Sequence, residues 1–177
     1  MNRIIIYGSF YGYTKNYAIE LGNIINVIVK DYNDIKCINE YDSIIYLGGL
    51  YAGGVLGMSK TLKKLDNISN KEIIVVTVGL ADPYDSKNIE NIEGNMKRQL
   101  STDLFNHIKI FHLRGGIVYK NLSIKHKFMM KLVYNKAKKV PVEERDAELR
   151  AMIETYNKEV DFTDFAELEK IIACLKS

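Results

Sequence analysis

Short runs of aliphatic, β-branched and aromatic residues alternate along the chain with segments whose apolar residues recur at helical spacing. The runs lack the polar alternation of half-exposed strands, so they predict strands buried on both faces. They lie at 3–8, 26–32, 44–47, 73–78 and 108–113. Because helical patterns separate them, the sequence predicts a doubly wound α/β fold, with a five-stranded parallel sheet and helices on both faces.

The pattern changes after the fifth predicted strand. Residues 123–139 and 142–156 predict two helices in succession, and a short extended stretch at 159–162 leads to a final helix with Thr163 as its expected N-cap. The sequence therefore predicts a helical insertion at about 120–160, before the last helix. No repeat or linker divides the chain, which predicts a single domain over 1–177.

Composition excludes several classes of protein. No apolar run approaches the length that spans a bilayer, and the first apolar run is too short for a signal peptide, so we expect a soluble, cytoplasmic protein. Cys37 and Cys174 are far apart in sequence, and the histidines show no ligand spacing. Neither a metal site nor a redox disulfide is predicted.

Charge is distributed unevenly along the chain, whose net charge is +3. Residues 115–140 contain seven lysines and no acid, whereas 141–177 are acidic. The lysines are Lys120, Lys125, Lys127, Lys131, Lys136, Lys138 and Lys139.

Three interpretations of this basic segment stay open. It contacts an anionic membrane surface, it meets an acidic substrate, or it is a solvated helix whose apolar stripe of Ile124, Phe128 and Leu132 packs on the domain. Nucleic-acid binding is not expected, because the aromatic residues do not interleave as a stacking platform and no binding motif accompanies the lysines.

The stretch Ser9–Phe10–Tyr11–Gly12–Tyr13–Thr14 joins the first strand to the first helix. It has neither the Gly-x-x-x-x-Gly-Lys-Ser/Thr pattern of nucleotide hydrolases nor the Gly-x-Gly-x-x-Gly of dinucleotide sites. It does fit Ser/Thr-x-x-Gly-x-Thr, in which hydroxyls, backbone amides and a helix N-terminus bind a phosphate monoester. The competing interpretation is a plain strand-to-helix turn with a threonine cap.

Two further loops should lie at the same edge of the sheet. Residues 49–57 and 79–86 follow the third and fourth predicted strands and carry glycines together with Tyr51 and Tyr84. Ligands of such sheets bind at the carboxyl ends of the strands, near the switch in strand order. The sequence therefore predicts a planar ring between these loops.

With these loops in order, the sequence resembles flavodoxin-type FMN-binding domains. It is most similar to the branch that includes the menaquinone-dependent protoporphyrinogen dehydrogenases, which carry a comparable basic segment, here Phe128–Met129–Met130–Lys131–Leu132, followed by an extended stretch and helix like 160–165. The resemblance implies a flavodoxin-like fold with FMN as cofactor. The cofactor-binding residues that it implies are Ser9, Phe10, Tyr11, Gly12, Tyr13, Thr14, Leu50, Tyr51, Ala52, Gly53, Val78, Gly79, Leu80, Ala81 and Tyr84.

The resemblance also implies a function. An FMN-dependent oxidoreductase would take electrons from an organic substrate, such as protoporphyrinogen, and pass them to a quinone or other acceptor, with no catalytic side-chain set of its own. The alternatives are a general electron carrier or quinone reductase, and a non-catalytic interaction module that has lost the flavin. Electron-shuttling flavodoxins are usually strongly acidic, whereas this chain has a pI near 8.7.

Overall fold

Strands and helices alternate through residues 1–176, which are the residues that the computed structural model describes. The strands are Arg3–Gly8 (β1), Val29–Asp31 (β2), Ser43–Tyr51 (β3), Gly54–Val55 (β4), Glu72–Gly79 (β5), Lys109–Arg114 (β6), Gly116–Val118 (β7) and Glu159–Asp161 (β8). The α-helices are Tyr13–Ile25 (α1), Met58–Leu62 (α2), Ser86–Gln99 (α3), Thr102–His107 (α4), Ile124–Ala137 (α5), Ala147–Thr155 (α6) and Glu169–Cys174 (α7).

The predicted five-stranded parallel sheet is confirmed. Its order is β2-β1-β3-β5-β6, and every neighbouring pair is parallel. The short β4 lies off this path and pairs antiparallel with β3. Since the chain moves from β1 outward to β2 and then back to β3 on the other side, strand order switches between β1 and β3. A crevice at their carboxyl ends is where ligands bind in such sheets.

The two faces of the sheet are covered by different helices, as the doubly wound prediction requires. Along β1, Ile5 packs with Tyr17 of α1 and Ile171 of α7. Its neighbours Ile4 and Ile6 belong to the opposite core, which α2, α3 and α4 cover. Successive strand residues thus point to opposite, equally buried faces, and this explains the unbroken apolar runs in the sequence.

The helical insertion is present, with one element that the pattern did not predict. Helices α5 and α6 lie between β7 and β8, which pair antiparallel as a two-stranded ribbon. The extended stretch at 159–162 was predicted, but its partner at 116–118 was not. Three-residue strands joined across some forty residues leave little periodic signal, because long-range pairing alone stabilises them.

Two predicted helix boundaries were wrong. The helix expected over 142–156 begins only at Ala147, where the side chain of Asp146 accepts a hydrogen bond from the Leu149 amide. Thr163 is not the N-cap of the last helix. Asp164 takes that position for a 3₁₀ turn at Phe165–Leu168, which precedes α7, and its carboxylate accepts from the Ala166 amide at 3.0 Å. In both places the cap is an aspartate: Asp146 lies four residues after the expected start at 142, and Asp164 lies directly after Thr163.

Candidate functional site

A cavity of about 520 Å³ lies at the carboxyl edge of the sheet. The ends of β1, β3, β5 and β6 form one side, and residues of α3, α5 and α6 form the other. All of the predicted cofactor-binding residues except Gly12 and Tyr84 line it: Ser9, Phe10, Tyr11, Tyr13, Thr14, Leu50, Tyr51, Ala52, Gly53, Val78, Gly79, Leu80 and Ala81. Its volume is in the range typical of small-molecule and cofactor sites.

The loop between β1 and α1 has the geometry of a phosphate cradle. Gly12 adopts a left-handed φ of 97° and precedes the first residue of α1, and its amide donates to the Ser9 hydroxyl oxygen at 3.1 Å. A Cβ added at Gly12 would meet no atom within 4 Å. Thr14 is buried and lines the cavity, and its hydroxyl faces Gly49, where an added Cβ would lie 3.2 Å from the hydroxyl oxygen. The first amides of α1 lack intrahelical acceptors, so hydroxyl and amide donors converge on the same space.

The second loop is a tight hairpin between β3 and β4. Leu50 pairs with Val55 and Tyr51 with Gly54, which leaves Ala52 and Gly53 as the central residues, at φ 49° and 76°. Two central residues with positive φ are typical of a type I′ turn, where a non-glycine residue such as Ala52 is unfavourable. The hairpin therefore holds a strained peptide directly at the cavity wall.

The third loop leaves β5 and is fastened to the end of β6. The Gly115 amide donates to the Gly79 carbonyl at 2.8 Å, and the Arg114 Nε donates to the Leu80 carbonyl at 3.0 Å. These bonds hold the backbone of residues 79–81 against the cavity. Gly115 and Gly116 lie beside Tyr13 so closely that a Cβ at Gly116 would come within 2.5 Å of the tyrosine ring.

Tyr84 does not reach the cavity, so the structure does not support a stacking role for it. Its ring is 68% exposed, and its hydroxyl donates to the Glu167 carboxylate at 2.5 Å. The Lys170 amine lies 5.2 Å from the ring centroid. Hydrogen bonds from Lys170 and then from Tyr84 lower the pKa of Glu167. The turn after β5 directs Tyr84 to the C-terminal segment, an interaction that local sequence does not reveal.

The insertion supplies a wall that the sequence did not predict. His126 of α5 lies between the first two loops, with its Nδ1 hydrogen-bonded to the Tyr11 hydroxyl and its Nε2 2.9 Å from the Tyr51 hydroxyl. The Phe10 ring packs edge-on against Tyr51 and His126, with centroids 4.8 and 5.3 Å apart. Met129 follows one helical turn later, with its sulfur 3.8 Å from the Tyr51 hydroxyl. Helix α5 thus closes over both loops.

A second group of unpredicted residues lines the cavity from α3 and α6. Asn88, Asn91 and Asn95 recur at helical spacing along one face of α3, a pattern that is visible in the sequence, while Glu148 and Met152 come from α6. An ion pair of 3.1 Å between Arg150 and Asp85 links the two helices. Although Glu148 keeps contact with solvent, desolvation, and then the charge of Asp146, raises its pKa.

The cavity is largely apolar and carries little charge. Among the described residues that line the cavity there is neither a lysine nor an arginine, and Glu148 is the one carboxylic acid. A phosphate held here would therefore be bound by hydroxyl and backbone donors rather than by a cationic side chain. Such an arrangement fits the Ser/Thr-x-x-Gly-x-Thr interpretation of the loop.

Comparison with known proteins agrees with this geometry. The model of the family described as "Flavodoxin domain" matches residues 4–142. The chain belongs to the flavodoxin domain family. The match covers all five strands of the parallel sheet, the three loops and α5. Comparison with curated proteins gives no significant match.

Solved structures that resemble this one are distant in sequence. A flavoprotein from Lactobacillus acidophilus, described in complex with FMN, is 12% identical, with a TM-score of 0.45 over 64% of this chain and 91% of that one. A flavodoxin from the domain Archaea is 19% identical, with a TM-score of 0.45 over 64% and 83%. Flavodoxin 2 of Bacillus cereus is 14% identical, with a TM-score of 0.40 over 96% and 99%.

Proposed function

We propose that this protein binds FMN in the cavity at the carboxyl edge of the sheet and works as an FMN-dependent oxidoreductase. The observation that carries the proposal is the convergence of the 9–14 loop with the 50–53 and 78–81 loops on one largely apolar cavity. Membership of the flavodoxin domain family supports FMN as the cofactor. A cytoplasmic location is part of the proposal.

Different residues of this chain would bind the phosphate and the ring of FMN. Ser9, Thr14 and the amides at the start of α1 would bind the phosphate, and the cradle at Gly12 leaves open space for it. The 50–53 and 78–81 loops would border the ring. Tyr51 and His126, which line the cavity and are joined by a hydrogen bond, would shield the ring from water.

The substrate part of the proposal follows the resemblance to protoporphyrinogen dehydrogenases. When bound, FMN supplies electron-pair transfer, so that electrons and protons removed from a porphyrinogen-type substrate pass to a quinone, which becomes a hydroquinone. Asn91, Asn95 and Met152 of α3 and α6 extend the cavity wall beyond the three loops, and there a substrate would approach the flavin. The pI near 8.7 favours an acidic substrate over a role as an acidic electron shuttle.

Cofactor binding is tested by titrating the flavin-free protein with FMN and with riboflavin, which lacks the phosphate, and following flavin fluorescence. We expect FMN to bind more tightly than riboflavin. A Gly12→Ala substitution should weaken FMN binding about tenfold, because alanine at φ 97° is strained by roughly 1–3 kcal/mol, and should affect riboflavin less.

Gly94→Ala is the matched control for Gly12→Ala. Gly94 lies within α3, has no positive φ, and a Cβ there meets no atom within 4 Å, so both flavins should bind as before. Equal affinity for FMN and riboflavin in the wild-type protein would contradict the assignment of the 9–14 loop. A protein that takes up neither flavin would contradict the oxidoreductase proposal and favour an interaction module.

The substrate is tested separately with the FMN-loaded protein. Under anaerobic conditions a porphyrinogen should bleach the visible flavin absorbance, and a water-soluble naphthoquinone should restore it. Bleaching by dithionite but not by the porphyrinogen would reject this substrate class and leave a general electron carrier or quinone reductase. Failure to reoxidise with the quinone would reject the acceptor.

A further inference from the structure

Helix α5 has two apolar faces, and the protein covers only one of them. Met129, Met130 and Val133 line the cavity together with His126. By contrast, Ile124, Phe128 and Leu132 are 89%, 63% and 55% exposed. The packed stripe considered in the sequence analysis was therefore wrong, because these three residues do not pack on the domain. Large apolar side chains clustered on a surface mark an interaction site.

The exposed residues form a continuous stripe. Each residue of an α-helix is rotated by about 100°, so positions four apart are displaced by only about 40°. Ile124, Phe128 and Leu132 thus follow one another along the outside of α5 within one narrow sector. The cavity-lining His126 and Met130 lie on the opposite side of the same helix.

Lysines border this stripe on both sides. On the same helical geometry, Lys125 and Lys136 fall on one edge, and Lys127, Lys131 and Lys138 fall on the other. Within residues 1–176, one lysine of this basic segment forms an ion pair: Lys120 lies 3.2 Å from the Glu159 carboxylate. Lys125 and Lys131 are exposed and make no ion pair within the described chain.

We propose that α5 binds the surface of an anionic lipid bilayer, with its apolar stripe buried among the acyl chains and its lysines at the phosphate level. An apolar sector bordered by long cationic side chains is the pattern of an interfacial helix, in which the lysines extend to the headgroups. The charge is complementary to anionic lipids, which attract basic segments near the surface. An acidic protein would be attracted by the lysines but would not explain three exposed apolar side chains.

Helix α5 would bind at the surface of the bilayer and would not cross it. Among residues 1–176 no helix has the length and apolar character needed to cross a membrane, and α5 has 14 residues. Since its inner face lines the candidate cofactor cavity, docking would bring that cavity to the lipid headgroups. The proposal itself does not depend on FMN, because vesicle binding is measured on the protein with or without a flavin.

Flotation with vesicles tests the proposal. The full chain should float with vesicles of phosphatidylcholine and phosphatidylglycerol, should bind weakly to phosphatidylcholine alone, and should dissociate as salt is raised. Phe128→Ser should lower the partition coefficient between vesicles and water at least about tenfold. Lys125→Gln and Lys131→Gln should each lower it about fivefold. Circular dichroism and the melting temperature show that each variant folds.

Matched controls come from elsewhere on the surface. Ile28 is 54% exposed, similar to the 55% of Leu132, and it directly precedes β2, an edge strand of the sheet. Ile28→Ser should therefore leave flotation unchanged where Leu132→Ser lowers it. Lys36→Gln and Lys63→Gln remove exposed charges outside the insertion. A loss in these controls equal to that of the α5 variants would reject α5 as the docking element.

A fluorescent reporter measures insertion directly, because the protein has no tryptophan. Tryptophan emission in Phe128→Trp should shift to shorter wavelength on anionic vesicles, and that in Ile28→Trp should not. The proposal fails if the wild-type protein does not float with anionic vesicles, or if salt has no effect on flotation. It also fails if the lysine substitutions weaken binding while the apolar substitutions and the reporter show no change, since that result identifies a purely electrostatic, acidic partner.

Discussion

Helices α1 and α5 are similar in length and differ in how they are held. Tyr17 and Leu21 of α1 are completely buried against the sheet, whereas Ala137 is the fully buried residue of α5 among those described. Both helices show apolar residues at helical spacing. The difference shows that the spacing locates an apolar face of a helix but does not reveal whether protein, ligand or lipid covers it.

The contacts that hold α5 are correspondingly different from those of α1. Its Tyr134 stacks on Tyr156 with ring centroids 3.8 Å apart, and His126 bridges Tyr11 and Tyr51. Aromatic and polar contacts of this kind are individually weak in water. We therefore expect the sheet to determine global stability, and we expect α5 to detach from the cavity loops by local unfolding, without unfolding of the sheet.

The largest expected effect separates these two regions. Leu47→Ala should lower the free energy of unfolding by about 2–5 kcal/mol, because Leu47 is completely buried in the sheet and its loss leaves a cavity. Leu132→Ala, on the outside of α5, should change it by no more than about 0.5 kcal/mol. Urea denaturation followed by circular dichroism measures both. Similar losses in the two variants would show that the outer face of α5 packs on the protein.

A smaller effect is expected at the fastening of α5. His126→Phe keeps a ring beside Phe10 but removes the hydrogen bonds to Tyr11 and Tyr51, so it should lower the free energy of opening α5 by about 1 kcal/mol. Hydrogen exchange of the α5 amides should quicken while that of β3 and β5 stays the same.

His107→Phe provides the control for this substitution. His107 is a surface histidine that hydrogen-bonds the Lys71 carbonyl through its Nε2 at 2.7 Å, far from the cavity loops. Exchange in α5 should be unaltered in this variant. Faster exchange throughout the sheet in His126→Phe would mean that α5 and the sheet open as one unit.

Sequence predicted the buried sheet well because its signal is local. Strands β1, β3 and β5 each carry enough consecutive apolar residues to be recognised, and the loop at 9–14 keeps its glycine, hydroxyls and helix start within six positions. Strand β2 was overestimated at 26–32, since Asn26, at φ 53°, still ends α1 and the strand begins at Val29. Local patterns fix the existence of such elements better than their ends.

The parts of the candidate site that sequence missed depend on contacts between distant segments. His126 is more than a hundred positions from Tyr11, and nothing in the spacing of either residue indicates the other. Tyr84 was expected in the cavity for its position in the loop, but Glu167 binds its hydroxyl from another part of the chain. Tertiary hydrogen bonds decided both placements, and a single sequence does not encode them in any short-range pattern.

The smallest expected effect is a pH dependence at the edge of the sheet, and it tests how well the edge strand β6 excludes water. His112 of β6 hydrogen-bonds the buried Thr77 hydroxyl at 2.7 Å, and its Nε2 lies 4.0 Å from the Glu93 carboxylate. Desolvation, and then the charge of Lys170, lowers the pKa of His112.

The sign of the effect follows from proton binding. Below the ordinary histidine pKa of about 6.5, the unfolded chain binds a proton at His112 that the folded protein does not bind. The free energy of unfolding therefore decreases as the pH is lowered through this range, and it levels off below the lowered pKa of the folded protein. His112→Asn, which can still hydrogen-bond Thr77, should flatten this part of the profile. Urea denaturation at several pH values measures the difference. An unchanged slope in His112→Asn would show that His112 binds its proton equally well in the folded and unfolded states, and that the edge at β6 does not desolvate its ring.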